Sequence, residues 1–121
     1  MKDIKLSEIL NMQKELQEKY QDHWKALTPE NGRNSLLWMM EEVGEVISII
    51  KKRGEEAIMN DEQVREKLVE EMVDIMMYYS KILICYGISE QEFAETFFKK
   101  HAKNMNRDFV GEYKAYLEPA E

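Results

Sequence analysis

Apolar residues recur along most of this chain at steps of three and four, the spacing of one helix face. Between Lys5 and about Trp24 they are Ile9, Met12, Leu16 and Tyr20, which predicts an amphipathic helix with Ser7 as N-cap and Leu10 and Leu16 turned inward. Pro29 and Gly32 then interrupt the pattern, and a loop is expected from Lys25 to Arg33. A second helix is expected from Asn34 or Ser35 to Lys52, stopped by Arg53 and Gly54. The next stretch, Glu55 to Asn60, is weakly patterned and reads as a short helical turn or a loop. A third helix starts at Asp61 as N-cap and runs to Gly87. Ser89, with Glu92 completing a capping box, opens a fourth that reaches about Arg107. Beyond it, residues 108–121 carry Phe109, Tyr113 and Tyr116 in no clear register.

Strand-period alternation is missing, so the expected fold is all-α, a four-helix bundle over residues 1–107 followed by a C-terminal tail. Helices two and three are apolar on more of their circumference than a surface helix needs: Met39, Met40, Val43, Val46, Ile47 and Ile50 on one, Met72, Val73, Ile75, Met76, Met77 and Ile82 on the other. A small chain has too few other helices to cover both. A homo-oligomer, a homodimer or homotetramer, is therefore expected.

Composition narrows the function classes. The chain has 121 residues, within the range of a single domain, and a net charge of −7, which disfavours a nucleic-acid polymer or an anionic membrane as partner. No apolar run approaches the roughly 18 residues of a membrane span, and MKDIKLSEIL lacks the apolar core of a signal peptide. Cys85 is the one cysteine, so no internal disulfide can form, which together fits a cytoplasmic protein.

The segment WMMEEVGEVISII, Trp38 to Ile50, holds Glu41, Glu42 and Glu45 among apolar neighbours. At 100° per residue, Trp38, Glu42, Glu45 and Ile49 fall within about 60° of one another. The third helix has acids of its own: Glu71 and Asp74 share a stripe with Tyr78, while Glu70 and Glu41 are rotated away by roughly 100°. Both clusters have apolar flanks, and the cations nearest the first in sequence are Arg33, Lys51, Lys52 and Arg53. Two adjacent antiparallel helices would set Glu42 and Glu45 opposite Glu71 and Asp74. Four converging carboxylates repel without a cation, and an all-oxygen anionic ligand set selects Mg²⁺ or Mn²⁺. Magnesium shares its coordination with phosphate oxygens, which points to phosphate chemistry. A di-iron carboxylate bundle needs Glu-x-x-His pairs, but Tyr20 and Phe98 precede His23 and His101.

The two acidic segments, Glu41-Glu42-Val43-Gly44-Glu45 and Glu71-Met72-Val73-Asp74, together resemble the EExxE…ExxD signature of the MazG-like all-α nucleoside triphosphate pyrophosphohydrolases. The likeness spans about Trp24 to Arg107. It implies Mg²⁺ held by Glu42, Glu45, Glu71 and Asp74, the four positions that the helical wheels also select. Gly32-Arg33-Asn34-Ser35-Leu36 is similar to the segment before the first motif in the deoxycytidine triphosphate pyrophosphatase branch. Trp24 and Tyr78 resemble its nucleoside contacts, and Lys100, Asn104 and Arg107 its triphosphate contacts. Arg33 and Asn34 join the implied substrate-binding set. Lys52 stands where that branch has a second stacking tryptophan. The implied reaction is hydrolysis of a nucleoside triphosphate, a deoxy or noncanonical one, to monophosphate and pyrophosphate. Glu41, beside the ligands but off their stripe, is the candidate for orienting the attacking water. Phosphoribosyl-ATP is the alternative substrate within the same fold. A non-catalytic helical dimerisation protein is the alternative from outside it.

Overall fold

The computed structural model describes residues 2–118, and among these every regular element is helical. Five helices follow one another: α1 (Leu6–Lys19), α2 (Pro29–Asn60), α3 (Glu62–Cys85), α4 (Glu90–Met105) and α5 (Phe109–Leu117). The all-α expectation holds. Packing divides the chain into two compact units, Met1–Glu90 and Gln91–Glu121, so that α4 groups with α5.

Several boundaries differ from the sequence reading. Helix α1 is preceded by Lys5 rather than capped by Ser7; the Lys5 amide donates to Glu8 Oε1 at 3.1 Å. It also stops at Lys19, and Trp24 is reached through a turn whose amide donates to the Tyr20 carbonyl at 2.8 Å. Helix α2 starts at Pro29, five residues or more before the expected start, with Thr28 as N-cap. Proline at the first helical position loses no hydrogen bond, so Pro29 opens the helix instead of breaking it. Gly32 lies inside that first stretch, buried because the Tyr86 ring rests where its side chain would be.

Gly54 does interrupt α2, with φ 81° and ψ 165°, but only locally. The chain resumes helix through Glu55 to Asn60 after the kink. Asp61 then turns the chain in a single residue, and its carboxylate accepts from the Gln63 and Val64 amides at 3.0 and 3.4 Å, as expected of an N-cap. So short a link makes α2 and α3 an antiparallel pair. Along it Glu42 meets Glu71 near the middle, and Ser35 meets Cys85 at the far end. Helix α1 packs on α3, its Leu10 and Gln13 buried.

The buried apolar core of the first unit is small: Leu10, Ile58, Val64, Leu83 and Cys85. In contrast Leu36, Met40, Ile47 and Ile50 stay exposed on α2, within about 80° of one another on a face turned away from Glu42. Helix α3 has a similar exposed stripe in Val69, Met72, Val73 and Met76.

In the second unit, the residues expected to lack a register form α5 as far as Leu117. Asp108 caps it, accepting from the Gly111 amide at 2.8 Å. The last three residues of the expected tail, 119–121, lie outside the described residues.

Candidate metal centre and adjoining pocket

Helix α3 presents a polar stripe in Lys67, Glu71, Asp74, Tyr78 and Lys81, spaced four, three, four and three apart. Such spacing keeps five side chains within about 80° on the face toward α1 and α2. The acids are central and a lysine stands at each end.

From α2, Glu42 completes the central group. One carboxylate oxygen from each of Glu42, Glu71 and Asp74 lies within 4.8 Å of the others. Glu71 is 6% exposed, and its two oxygens differ. Oε1 is 3.0 Å from Lys67 Nζ, whereas buried Oε2 has no donor when both glutamates are ionised. A proton shared with Glu42 can fill that gap. The hydrogen bond to Glu71, then burial, then the charges of Asp74, Glu71 and Glu45 push the Glu42 carboxyl up to about 7. Glu71 goes the other way, held below the usual carboxylate range by Lys67 and by the hydrogen bond from Glu42. Below about pH 7 the pair therefore holds one proton, on Glu42 rather than on Glu71.

Sequence reasoning expected four ligands, and the structure gathers three of them. Glu45 is exposed and outside the group, though its charge is felt at Glu42. The sequence reading sought cations near the first acids and overlooked Lys67. Its signal was present in the i,i+4 spacing to Glu71. Glu41 is exposed, and its charge reaches the Tyr78 phenol, whose pKa burial raises first and Glu42, Asp74 and Glu41 raise further.

A hard divalent cation fits this set. The donors are all carboxylate oxygens, they converge, and Oε2 of Glu71 is buried without a partner.

Beyond Tyr78 the stripe enters a pocket of about 360 Å³, lined by Trp24, Asn31, Asn34, Ser35, Trp38, Tyr78 and Lys81 among others. A smaller cavity of about 150 Å³ shares Trp24, Tyr78 and Lys81 with it and reaches Asp74. Trp24 packs on Tyr20 with ring centres 4.9 Å apart. Trp24 and Tyr78, expected at the nucleoside, thus share one recess, which Asn34 of the expected substrate-binding set also lines. Arg33 is exposed and does not line it. Lys81 was not singled out from sequence, although Asp74, Tyr78 and Lys81 lie on one face.

Lys100, Asn104 and Arg107 belong to the second unit. Lys100 is exposed on α4, and Asn104 Oδ1 is buried without a partner. Arg107 is already engaged: its guanidinium donates to both Glu112 oxygens, at 2.7 and 3.3 Å, and lies 4.3 Å from the centre of the Phe109 ring.

No protein family, curated protein or solved structure matches the chain. Among the described residues no helix is long and apolar enough to cross a membrane.

Proposed function

We propose that the chain hydrolyses a nucleoside triphosphate to the monophosphate and pyrophosphate with a divalent cation, Mg²⁺ or Mn²⁺, on Glu42, Glu71 and Asp74. The observation that carries this reading is the convergence of those three carboxylates, with Glu71 Oε2 buried and without a donor once Glu42 is ionised, beside an aromatic recess. A cation held there would neutralise phosphate charge and make water a better nucleophile.

The protein's own groups divide the remaining work. Glu42 must surrender its proton before it can ligate, and Lys67 favours the ionised form of Glu71. Glu45, whose charge reaches Glu42, is the candidate for a fourth ligand. Exposed Glu41 is the candidate for orienting the water whose oxygen bonds to the α-phosphorus. The bond from that phosphorus to the bridging oxygen breaks, and pyrophosphate leaves with that oxygen. Trp24, Asn34 and Tyr78 receive the nucleoside. Roles for Lys100, Asn104 and Arg107 at the phosphates, and for Arg33 in substrate binding, rest on the family resemblance alone.

The exposed apolar stripes of α2 and α3 support association of copies into a homodimer or homotetramer.

The test is pyrophosphate release from a nucleotide panel with and without Mg²⁺, with Glu42→Ala and Asp74→Ala alongside. Both variants are expected to lose turnover while retaining helical circular dichroism. Full Mg²⁺-dependent activity in either would sink the assignment. Activity absent throughout, with a Tm indifferent to Mg²⁺ and Mn²⁺, would favour the non-catalytic helical protein.

A further inference from the structure

Lys81 is the least explained group of the polar stripe. Its ammonium lies 4.3 Å from the centre of the Trp24 ring and 5.0 Å from that of Tyr78. Among the described residues no carboxylate pairs with it, and two ring faces flank the ammonium instead. Burial accordingly pulls it below the usual lysine range. A half-buried ammonium without a paired carboxylate, at the wall of a recess, is arranged to receive an acceptor.

Position decides which acceptor. Lys81 is two turns beyond Asp74, about 10 Å along the helix axis. Lys81 also lines the larger recess with Trp24, Trp38, Asn31 and Asn34, which Glu42, Glu71 and Asp74 do not line. What reaches Lys81 is the other end of the ligand, past Tyr78 and against Trp24. Resting on the hydrolase reading above, we propose that Lys81 is a specificity-determining residue that donates to a carbonyl oxygen of the base. The substrate class is then a triphosphate whose base carries an exocyclic carbonyl: uracil, thymine, cytosine, guanine or hypoxanthine. Adenine, which has none, is rejected, because its exocyclic amino group would bring N–H donors toward an ammonium that can only donate.

Asn31 supports the same polarity. Its Nδ2 donates to the Ala26 carbonyl at 2.7 Å, and because that carbonyl can only accept, the amide orientation is fixed. Oδ1 is left to accept a ring or amino N–H. Donor and acceptor thus line one recess together with two tryptophans.

The experiment measures kcat/KM for dATP, dCTP, dGTP, dTTP and dUTP with Mg²⁺, by pyrophosphate release, on the wild type and on Lys81→Met and Lys81→Arg. Wild-type protein is expected to use dATP at least about tenfold less well than the best carbonyl-bearing substrate, in line with one good base contact. Lys81→Met should shrink that gap mainly by raising KM for the favoured substrates, and Lys81→Arg should restore part of it. A wild type that accepts dATP as well as the others overturns the proposal, as does a Lys81→Met variant with an unchanged ranking. In either case turnover itself persists, and the hydrolase reading stands. Turnover of none of the five overturns both. Should Lys81→Met lose its fold, the wild-type ranking still decides.

Discussion

Lys67 and Glu71 form an ion pair of 3.0 Å one turn apart on α3, yet it satisfies only one oxygen of a carboxylate buried to 6% exposure. The other oxygen is buried without a partner, and one oxygen each of Glu42, Glu71 and Asp74 lies within 4.8 Å of the others. Lys67 is therefore a partial counter-ion, and its removal should leave the three acids more dependent on an added cation. Lys67→Met is expected to lower the Tm without divalent ions at pH 8 and to enlarge the rise on adding Mg²⁺. Differential scanning calorimetry of both proteins, with chelator and with Mg²⁺, checks this. A smaller Mg²⁺ shift in the variant would show that Lys67 does not compete for the site.

The pH dependence follows from Glu42. Its folded pKa is raised from 4.5 to about 7, so the folded state holds that proton more tightly than the unfolded chain. The stabilisation is fully present below pH 4.5 and is lost as pH rises through 7. Glu71 is shifted down, so its contribution is present above 4.5 and is lost only in acid, outside this window. With chelator present, the Tm should fall between pH 5.5 and 8.5, and Glu42→Gln should flatten that decline.

Gly54 occupies a backbone region (φ 81°, ψ 165°) that side chains other than glycine's adopt only under strain. Gly54→Ala is expected to cost about 1–3 kcal/mol, although nothing lies near enough to clash with the new methyl group. Urea unfolding followed by circular dichroism measures it. A stabilised variant would mean that the kink gives way to a continuous helix.

Gly32 and Tyr86 are coupled by space. A Cβ at Gly32 would fall 2.5 Å from the Tyr86 ring, which is half exposed and able to swing. Gly32→Ala gains up to about 1 kcal/mol of helix propensity and loses the ring's seat. The double-mutant cycle with Tyr86→Ala should therefore show Gly32→Ala more favourable by about 1 kcal/mol once the ring is gone.

Legibility in the sequence followed periodicity. Glu42, Glu71 and Asp74 could be found because an acid within an apolar helical stripe stands out, and Asp61 because an N-cap has a local chemical signature. Pro29 was misread because proline both breaks helices and starts them; only the residues after it settle which. Lys67 and Lys81 were passed over because lysines at helical spacing usually mark a solvated face. Their roles depend on what lies across from them, Glu71 in one case and the Trp24 ring in the other. For α5, a capping aspartate followed by nine residues was too short a stretch for a period to emerge.

Asp61 has a consequence for how this protein can change. With one residue between α2 and α3, the count from Glu42 to Glu71 is the gauge that sets the acids face to face. Adding or removing a single residue within α3 ahead of Glu71 would rotate Glu71, Asp74, Tyr78 and Lys81 together by about 100°. Length variation there is tolerable only in near-whole turns, or where Gly54 can absorb it.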